Sequence, residues 1–387
     1  MADLTITSLT ENIYKARDLV GAEPTGFLQS VVVNGGSEGV SIGGTVSSLR
    51  TSQPTLNTSY TPSMTIPQGD AQTLSKDTLT IDQVANVQIP LTGEQQKQLD
   101  NTVGGDYARV QMFAQAFRKI RNAIEAQGGI AIKNGSSRAT GTAGTNPFAS
   151  NINPLTDLAQ ILTDNGAPMD DGDLSCVFNT SAGTKFRQIT NLYKVNEAGD
   201  GGALLRRGEF GNLFGFSLKQ STGVASHTKG TGTSYLVNQT GLTNGSTTVT
   251  VDTGSGTFVA GDIITFASGT GSGYNYVVKT GAAAAGDIVI AQPGLLGNIA
   301  DNNAITIGNN YTGNVGFHKS AIELVMRPPA QPYGGDAAVD RMTMYDENSG
   351  LSFDIALYKG YGKVMFDITC FYTWKVWKPE FVATLLG

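Results

Sequence analysis

A chain of 387 residues exceeds the size at which a single hydrophobic core keeps growing, which predicts two or three semi-independent lobes and excludes a small stapled domain. Only 15% of the residues are charged, against about 25% in an average soluble protein, and a surface so poor in charge suits one that neighbours will cover, although a β-rich extracellular protein shares the same composition. The formal charge of -6, with no stripe of Lys or Arg to neutralise phosphates, excludes a dedicated nucleic-acid binder; an acidic protein can still surround DNA as a container that does not stick to its cargo.

The N-terminal residues read as an arm. Ser8 and Glu11 form a capping-box pair, and Leu9, Ile13, Ala16 and Val20 recur at helical spacing until Gly21 and Pro24. A helix of about three turns is marginal alone and needs a partner surface. Residues 40–92 read as extended chain, with Val40, Ile42, Leu49, Tyr60, Met64 and Ile66 on one side of a polar stretch around Pro67, Gly69 and Asp70, and Leu79, Ile81, Val84, Val87 and Ile89 on the other. The spacing predicts one long β-hairpin, too few strands to hold a core of its own, lying along the same subunit or the next.

Val103, Tyr107, Val110, Ala114, Phe117, Ile120 and Ile124 then step by three or four, predicting a spine helix of about 25 residues that Gly128 and Gly129 interrupt. After a Gly, Ser and Thr-rich loop, Asn153 and Pro154 open a second amphipathic helix ending at Asn165 and Gly166. A strand through Leu174, Cys176 and Phe178 and a short helical stretch around Phe186 follow, which gives a mixed α+β lobe. Residues 231–312 differ in composition, with Lys279 the single basic residue and Asp252, Asp262, Asp287 and Asp301 the only acidic ones. Alternating segments there predict an inserted small all-β, barrel-like domain, in which the phrase Gly-Asp-Ile occurs twice as a turn entering a strand. The aromatic-dense stretch 364–378 is expected to form a sheet against which the spine helix packs.

Candidate chemistry is sparse. Cys176 and Cys370 are too few for a disulfide framework or a metal knuckle and fit a reducing cytoplasm; residues 1–20 hold five charged side chains, so no apolar signal-peptide core is expected, nor is a membrane span. His227 and His318 belong to no HExxH or Cys/His cluster, and His318 reads as a structural histidine. Asp170, Asp171 and Asp173 lack the order and closing Glu of a calcium loop and read as an acidic solvated turn. No Ser lies in a GxSxG elbow, the glycine runs are not phosphate loops, and Lys76 reads as a solvated strand lysine. No catalytic residue, metal ligand or cofactor is expected, so the chain is expected not to be an enzyme.

The order of these segments, together with VAGDIITFASG (259–269), GEFGNLFGFSLKQS (208–221), FHKSAIELVMRPP (317–329) and WKVWKPEFVATLLG (374–387), resembles the major capsid proteins of tailed bacteriophages, whose fold also occurs in herpesvirus shells. Within that family the similarity is greatest to the coat proteins of short-tailed phages of the Salmonella type, which carry an inserted β-barrel. The resemblance implies an α+β capsid fold with an arm at 1–39, an extended loop at 40–99, a peripheral lobe at 100–139 and 364–387, an axial lobe at 140–230 and 313–363, and the insertion at 231–312. It implies self-assembly as pentamers and hexamers into an icosahedral head built in the bacterial cytoplasm, with scaffolding and portal proteins and a decoration protein as partners. DNA would be enclosed without sequence-specific contact, and no membrane would be bound. Leu9 and Ile13 of the arm, Tyr60, Met64, Ile66 and Lys76 of the hairpin, and Arg206 and Arg207 are the candidate subunit contacts. The rival expectation is a phage decoration, fibre or carbohydrate-binding surface module, supported by the Gly and Thr-rich β segment.

Overall fold

The computed structural model describes residues 23–36, 38–51, 56, 58, 61–66, 74–101, 105–192, 208, 210–239, 241–345 and 351–387. The expected arm helix at 8–20 lies outside these residues.

The spine helix runs from Gly105 to Asn134, 30 residues rather than about 25. Gly128 and Gly129 do not end it. A Cβ on Gly128 would stand 2.6 Å from the Trp374 ring, and one on Gly129 would stand 2.1 Å from the Gly223 carbonyl oxygen. The two glycines are places of close approach, which sequence periodicity cannot distinguish from a helix stop.

The apolar face of the helix, including Val110, Phe113, Phe117, Ile120 and Ile124, packs on a six-stranded sheet. The long strand Lys363–Val376 forms its centre. Along one edge it pairs antiparallel with Gln83–Thr92, and along the other with Ile322–Arg327 and Ser352–Gly360, placed end to end. Ala338–Tyr345 and Val32–Gly35 complete the sheet. Phe113 meets Phe366 and Phe117 meets Phe353 edge-on, each at 5.2 Å between ring centroids, and the Trp374 indole donates to the Ile124 carbonyl at 3.0 Å.

Two expected boundaries move. The self-paired hairpin comprises only Thr45–Thr51 and Leu74–Thr80, because the next strand, Gln83–Thr92, alternates buried and exposed residues and is taken up by the first sheet. Residues 322–360 were expected with the axial lobe, yet they share this sheet with 363–376, since the turn at Tyr361–Gly362 closes an antiparallel hairpin across the expected boundary. The final strand, Val382–Leu386, leaves for a second sheet.

That second sheet places Tyr311–His318 between Leu174–Phe178 and Val382–Leu386. The helix Asn153–Asp164 covers it with Leu155, Leu158, Ile161 and Leu162, and Phe148, Phe178 and Phe186 fill the core beside them. Residues 231–312 have their own core of Tyr235, Val249, Ile264, Tyr276, Ile288 and others. Five of their strands, Thr248–Asp252, Ile263–Phe266, Asn275–Thr280, Gly286–Ile290 and Ile305–Ile307, are the segments that alternation marks, and the two-residue strand Leu236–Val237 pairs with the first of them. The segment is joined to the rest by hydrogen bonds, because Asn275 and Tyr276 pair with Ala139 and Arg138 of the short strand Arg138–Thr140, which in turn pairs parallel with Val382–Leu386.

Candidate assembly surface

The hairpin and the segment beyond it hold the largest group of exposed aliphatic side chains among the described residues. The hairpin base is anchored, with Leu79 and Ile81 buried against Val325. Beyond the base, Leu49 is 73% exposed and Leu56 84%, while Met64 and Ile66 stand almost wholly in solvent. Ile42 and Leu74 are exposed as well. Large apolar side chains left in water in this number along one segment make it a candidate interaction surface. In full register the hairpin's two strands pair only with each other among the described residues, so its backbone edges are open to a further strand.

Of the expected contact residues, Met64 and Ile66 lie in the segment beyond the paired stem, and Lys76 stands in the stem opposite Leu49. Leu9, Ile13, Tyr60, Arg206 and Arg207 lie outside the described residues. Exposed Ile42 and Leu49 were legible only as strand hydrophobics and Leu56 and Leu74 were missed, because alternation tells which side chains share a face but not whether anything covers that face.

Three buried polar constellations hold the framework behind this surface. In the first, the segment that leaves the arm is fixed to the spine helix: the Glu125 carboxylate accepts the Phe27 N–H at 2.8 Å, the Leu28 N–H at 3.0 Å and the Ser221 hydroxyl at 2.6 Å. Burial pushes the Glu125 carboxyl up, and these donors together with the Arg121 charge offset part of that. One helical turn away Glu23 meets Arg118 and Asn122, whose donated hydrogen bonds hold its carboxyl down at about 2.

The second joins the helix C-terminus to residues 231–312. Lys133 Nζ lies 2.9 Å from His227 Nδ1, and His227 Nε2 lies 2.8 Å from Asp262 Oδ1. Asp262 also accepts the N–H groups of Gly230 and Val259. All three side chains are buried, and desolvation lowers the Lys133 amine to about 8 although the Asp262 charge opposes it. An ammonium donating to Nδ1 leaves the imidazole neutral with its proton on Nε2, facing the carboxylate. A Cβ at Gly261, where φ is +95°, would stand 2.5 Å from Asn134 Oδ1, so a left-handed glycine is required there. The two Gly-Asp-Ile turns therefore differ: Asp262 is buried in this relay, whereas Asp287 is exposed and receives only the Thr250 hydroxyl.

The third brings together two features that sequence reading treated apart. His318 Nε2 donates to Asp171 Oδ2 at 2.7 Å, and its Nδ1 faces the Ser320 hydroxyl at 2.7 Å and accepts the Ser320 N–H at 3.3 Å. The ligand atoms of Asp171, Asp173 and His318 lie within 4.8 Å of one another. The Asp173 N–H and then the His318 contact hold the Asp171 carboxyl below its usual range. With one ring nitrogen bound to Asp171 and the other capping the short helical turn at Lys319–Ala321, the imidazole clasps the acidic turn to the end of its strand.

No protein-family model matches the chain, and no curated protein does. Among solved structures, one of Mycobacterium phage Che8 is 15% identical, with 89% of this chain and 84% of that chain covered at a TM-score of 0.47. The capsid structure of the cyanophage P-SCSP1u is 13% identical over 94% and 88% of the two chains, at a TM-score of 0.49. The mature capsid of bacteriophage PhiM1 is 13% identical over 93% and 86%, at a TM-score of 0.46. All three scores fall short of the level at which a likeness bears a functional argument.

Proposed function

We propose that this chain is a shell subunit, the major capsid protein of a tailed bacteriophage, and that it performs assembly rather than catalysis. The observation that carries the reading is the hairpin stem of Thr45–Thr51 and Leu74–Thr80, anchored at its base, which with the described residues beside and beyond it exposes Ile42, Leu49, Leu56, Met64, Ile66 and Leu74. A monomer would keep this surface in water at a cost. Burying all six side chains would contribute at most about 9–18 kcal/mol, of the same order as the about 4–15 kcal/mol that association costs in lost freedom. One hairpin contact is therefore marginal, and a closed set of repeated contacts is what becomes stable, which is the logic of a symmetric shell.

The segment order and the phrases that resemble tailed-phage coat proteins of the Salmonella type support the same reading. On it, the spine helix with the first sheet is the peripheral lobe, and the second sheet with the helix Asn153–Asp164 is the axial lobe around five- and six-fold axes. Residues 231–312 are the inserted β domain, and the hairpin is the extended loop overlapping the adjacent subunit. Pentamers and hexamers then enclose double-stranded DNA without sequence-specific contact, assembling in the host cytoplasm with scaffolding and portal proteins, and a decoration protein can bind the finished head. Negative-stain imaging of the purified chain, alone and after co-expression with the products of its neighbouring genes, tests this. Closed shells or capsomers are expected; a protein that stays monomeric in every condition overturns it.

A further inference from the structure

A cleft of about 400 Å³ opens where three parts of the chain meet: the hairpin stem at Lys76–Thr78, residues 231–312 at Thr247, Lys279 and Val289–Gln292, and the first sheet at Lys375–Trp377 with Pro379. Each part brings one ammonium group, Lys76, Lys279 and Lys375, and the one carboxylate lining the cleft is Asp77. Lys279 is the only basic residue between 231 and 312, and the fold places it in this cleft. The floor is rigid, because the Trp377 indole donates to Glu323 at 2.7 Å and Lys375 lies 5.7 Å from the Trp377 ring. Three ammonium groups against the Asp77 carboxylate, with Glu323 opposite Lys375 in the sheet, leave the cleft net positive and favour an anion there.

The chain also carries the complementary group. Asp170, Asp171 and Asp173 lie within four positions on an exposed turn whose sharp bend is set by Gly172 at φ +78°, and His318 clasps that turn through Asp171 so that it is held in one place. None of these residues lines the cleft of its own chain. We propose that the acidic turn Met169–Asp173 of a second copy of this chain docks in the cleft of Lys76, Lys279 and Lys375. The contact is heterologous, turn into cleft, and so propagates around a ring rather than stopping at a dimer. It rests on the shell reading and gives residues 231–312 a role in it, since an acidic turn bound there ties the hairpin base to that segment. Apolar hairpin contacts supply burial, and this charged contact selects which neighbour and which register.

Zero-length carbodiimide crosslinking of a mixture of ordinary and isotope-labelled subunits tests the contact directly. Mixed-label crosslinks joining Lys279 or Lys375 to Asp170 or Asp173 are expected. Reversal of the cleft (Lys279→Glu with Lys375→Glu) and of the turn (Asp170→Lys with Asp173→Lys) should each lower assembly about tenfold or more, and combining them should restore most of it. Lys279, Asp170 and Asp173 are exposed and Lys375 is half-buried beside Trp377, so unchanged thermal unfolding of each variant, with Lys279→Glu alone as a second cleft variant, separates lost docking from lost folding. Assembly by the wild type with no such crosslink, with neutral reversals, or with a combination no better than either alone overturns the docking and leaves the shell reading standing. A wild type that never associates overturns both.

Discussion

The Glu125 carboxylate accepts the main-chain N–H of Phe27 at 2.8 Å across 98 residues of sequence, and the Leu28 N–H beside it at 3.0 Å. A spine-helix side chain thereby replaces water for two amides of the segment that follows the arm. Phe27 is fully buried and stacks on Phe317 at 6.4 Å, so its amide is shielded from water and the carboxylate is the acceptor that satisfies it, while the Leu28 amide is partly buried.

Glu125→Leu should consequently lower unfolding stability by about 3 kcal/mol, because each buried N–H left without an acceptor costs about 1–3 kcal/mol. Urea unfolding gives the magnitude. Limited proteolysis should show cleavage within 23–31 in the variant at concentrations that leave the wild type whole; equal protection would mean that packing of Phe27 alone holds the segment.

Lys133 gives a pH signature. Its pKa falls from 10.5 to about 8, so between those values the unfolded chain holds a proton that the folded chain has released. Stability then rises with pH across that window, by up to about 3 kcal/mol, and below pH 8 the buried amine is carried charged at full cost. Burial raises the Tyr311 phenol and the Cys176 and Cys370 thiols, which work the opposite way once their unfolded forms ionise, the thiols from about pH 9, so over about pH 8–9.5 Lys133 is isolated only as the difference between wild type and a Lys133 variant. Urea unfolding of wild type and Lys133→Met through that range should show the wild type gaining on the variant as pH rises; parallel curves would remove Lys133 as the source.

Gly129→Ala should destabilise far more than the gain in helix propensity of about 1 kcal/mol would offset. The added Cβ would stand 2.1 Å from the Gly223 carbonyl oxygen and 3.3 Å from the Phe27 ring, and a backbone oxygen cannot step aside as a side chain can. A loss of roughly 2 kcal/mol or more is expected in thermal or urea unfolding. Gain of stability would show that the helix and the Gly223 loop can separate freely.

Replacing residues 46–79 by a short turn should leave a folded monomer, since the base residue Ile81 and both sheets stay intact, and should abolish shells. Circular dichroism and sedimentation read the two halves of this expectation. Shells of normal size from the shortened chain would place the principal contacts elsewhere.

Cys176 and Cys370 are fully buried, and burial pushes both thiols up to about 12. Neither should react with a thiol reagent at pH 8 until the chain is unfolded, when both should react together. Fast labelling of one in the native protein would reveal a local opening of its sheet.

Much of the element plan was legible in the residues. The spine helix, the helix Asn153–Asp164, the strand Leu174–Phe178 and five of the strands of 231–312 all carry a local period, and a period is a property of neighbours in sequence. The candidate surface was partly legible through Met64, Ile66 and Lys76. Lys279 carried a signal of its own, as the one basic residue in a long neutral stretch, but nothing local says that it meets Lys76 and Lys375.

The composition and the local periods thus determined which segments become helices and strands, and that few charges would cover them. Tertiary structure alone decided which strands share a sheet, taking Gln83–Thr92 away from the hairpin and setting 322–360 beside 363–376. It also decided which polar groups meet: Glu125 with the Phe27 amide and Lys133 with His227 and Asp262 in the interior, and buried His318 with exposed Asp171. The reason is physical. A helix or strand period arises from side chains a few residues apart, whereas a strand's partner or a buried charge's counterpart is chosen by the burial and hydrogen bonding of groups tens to hundreds of residues away.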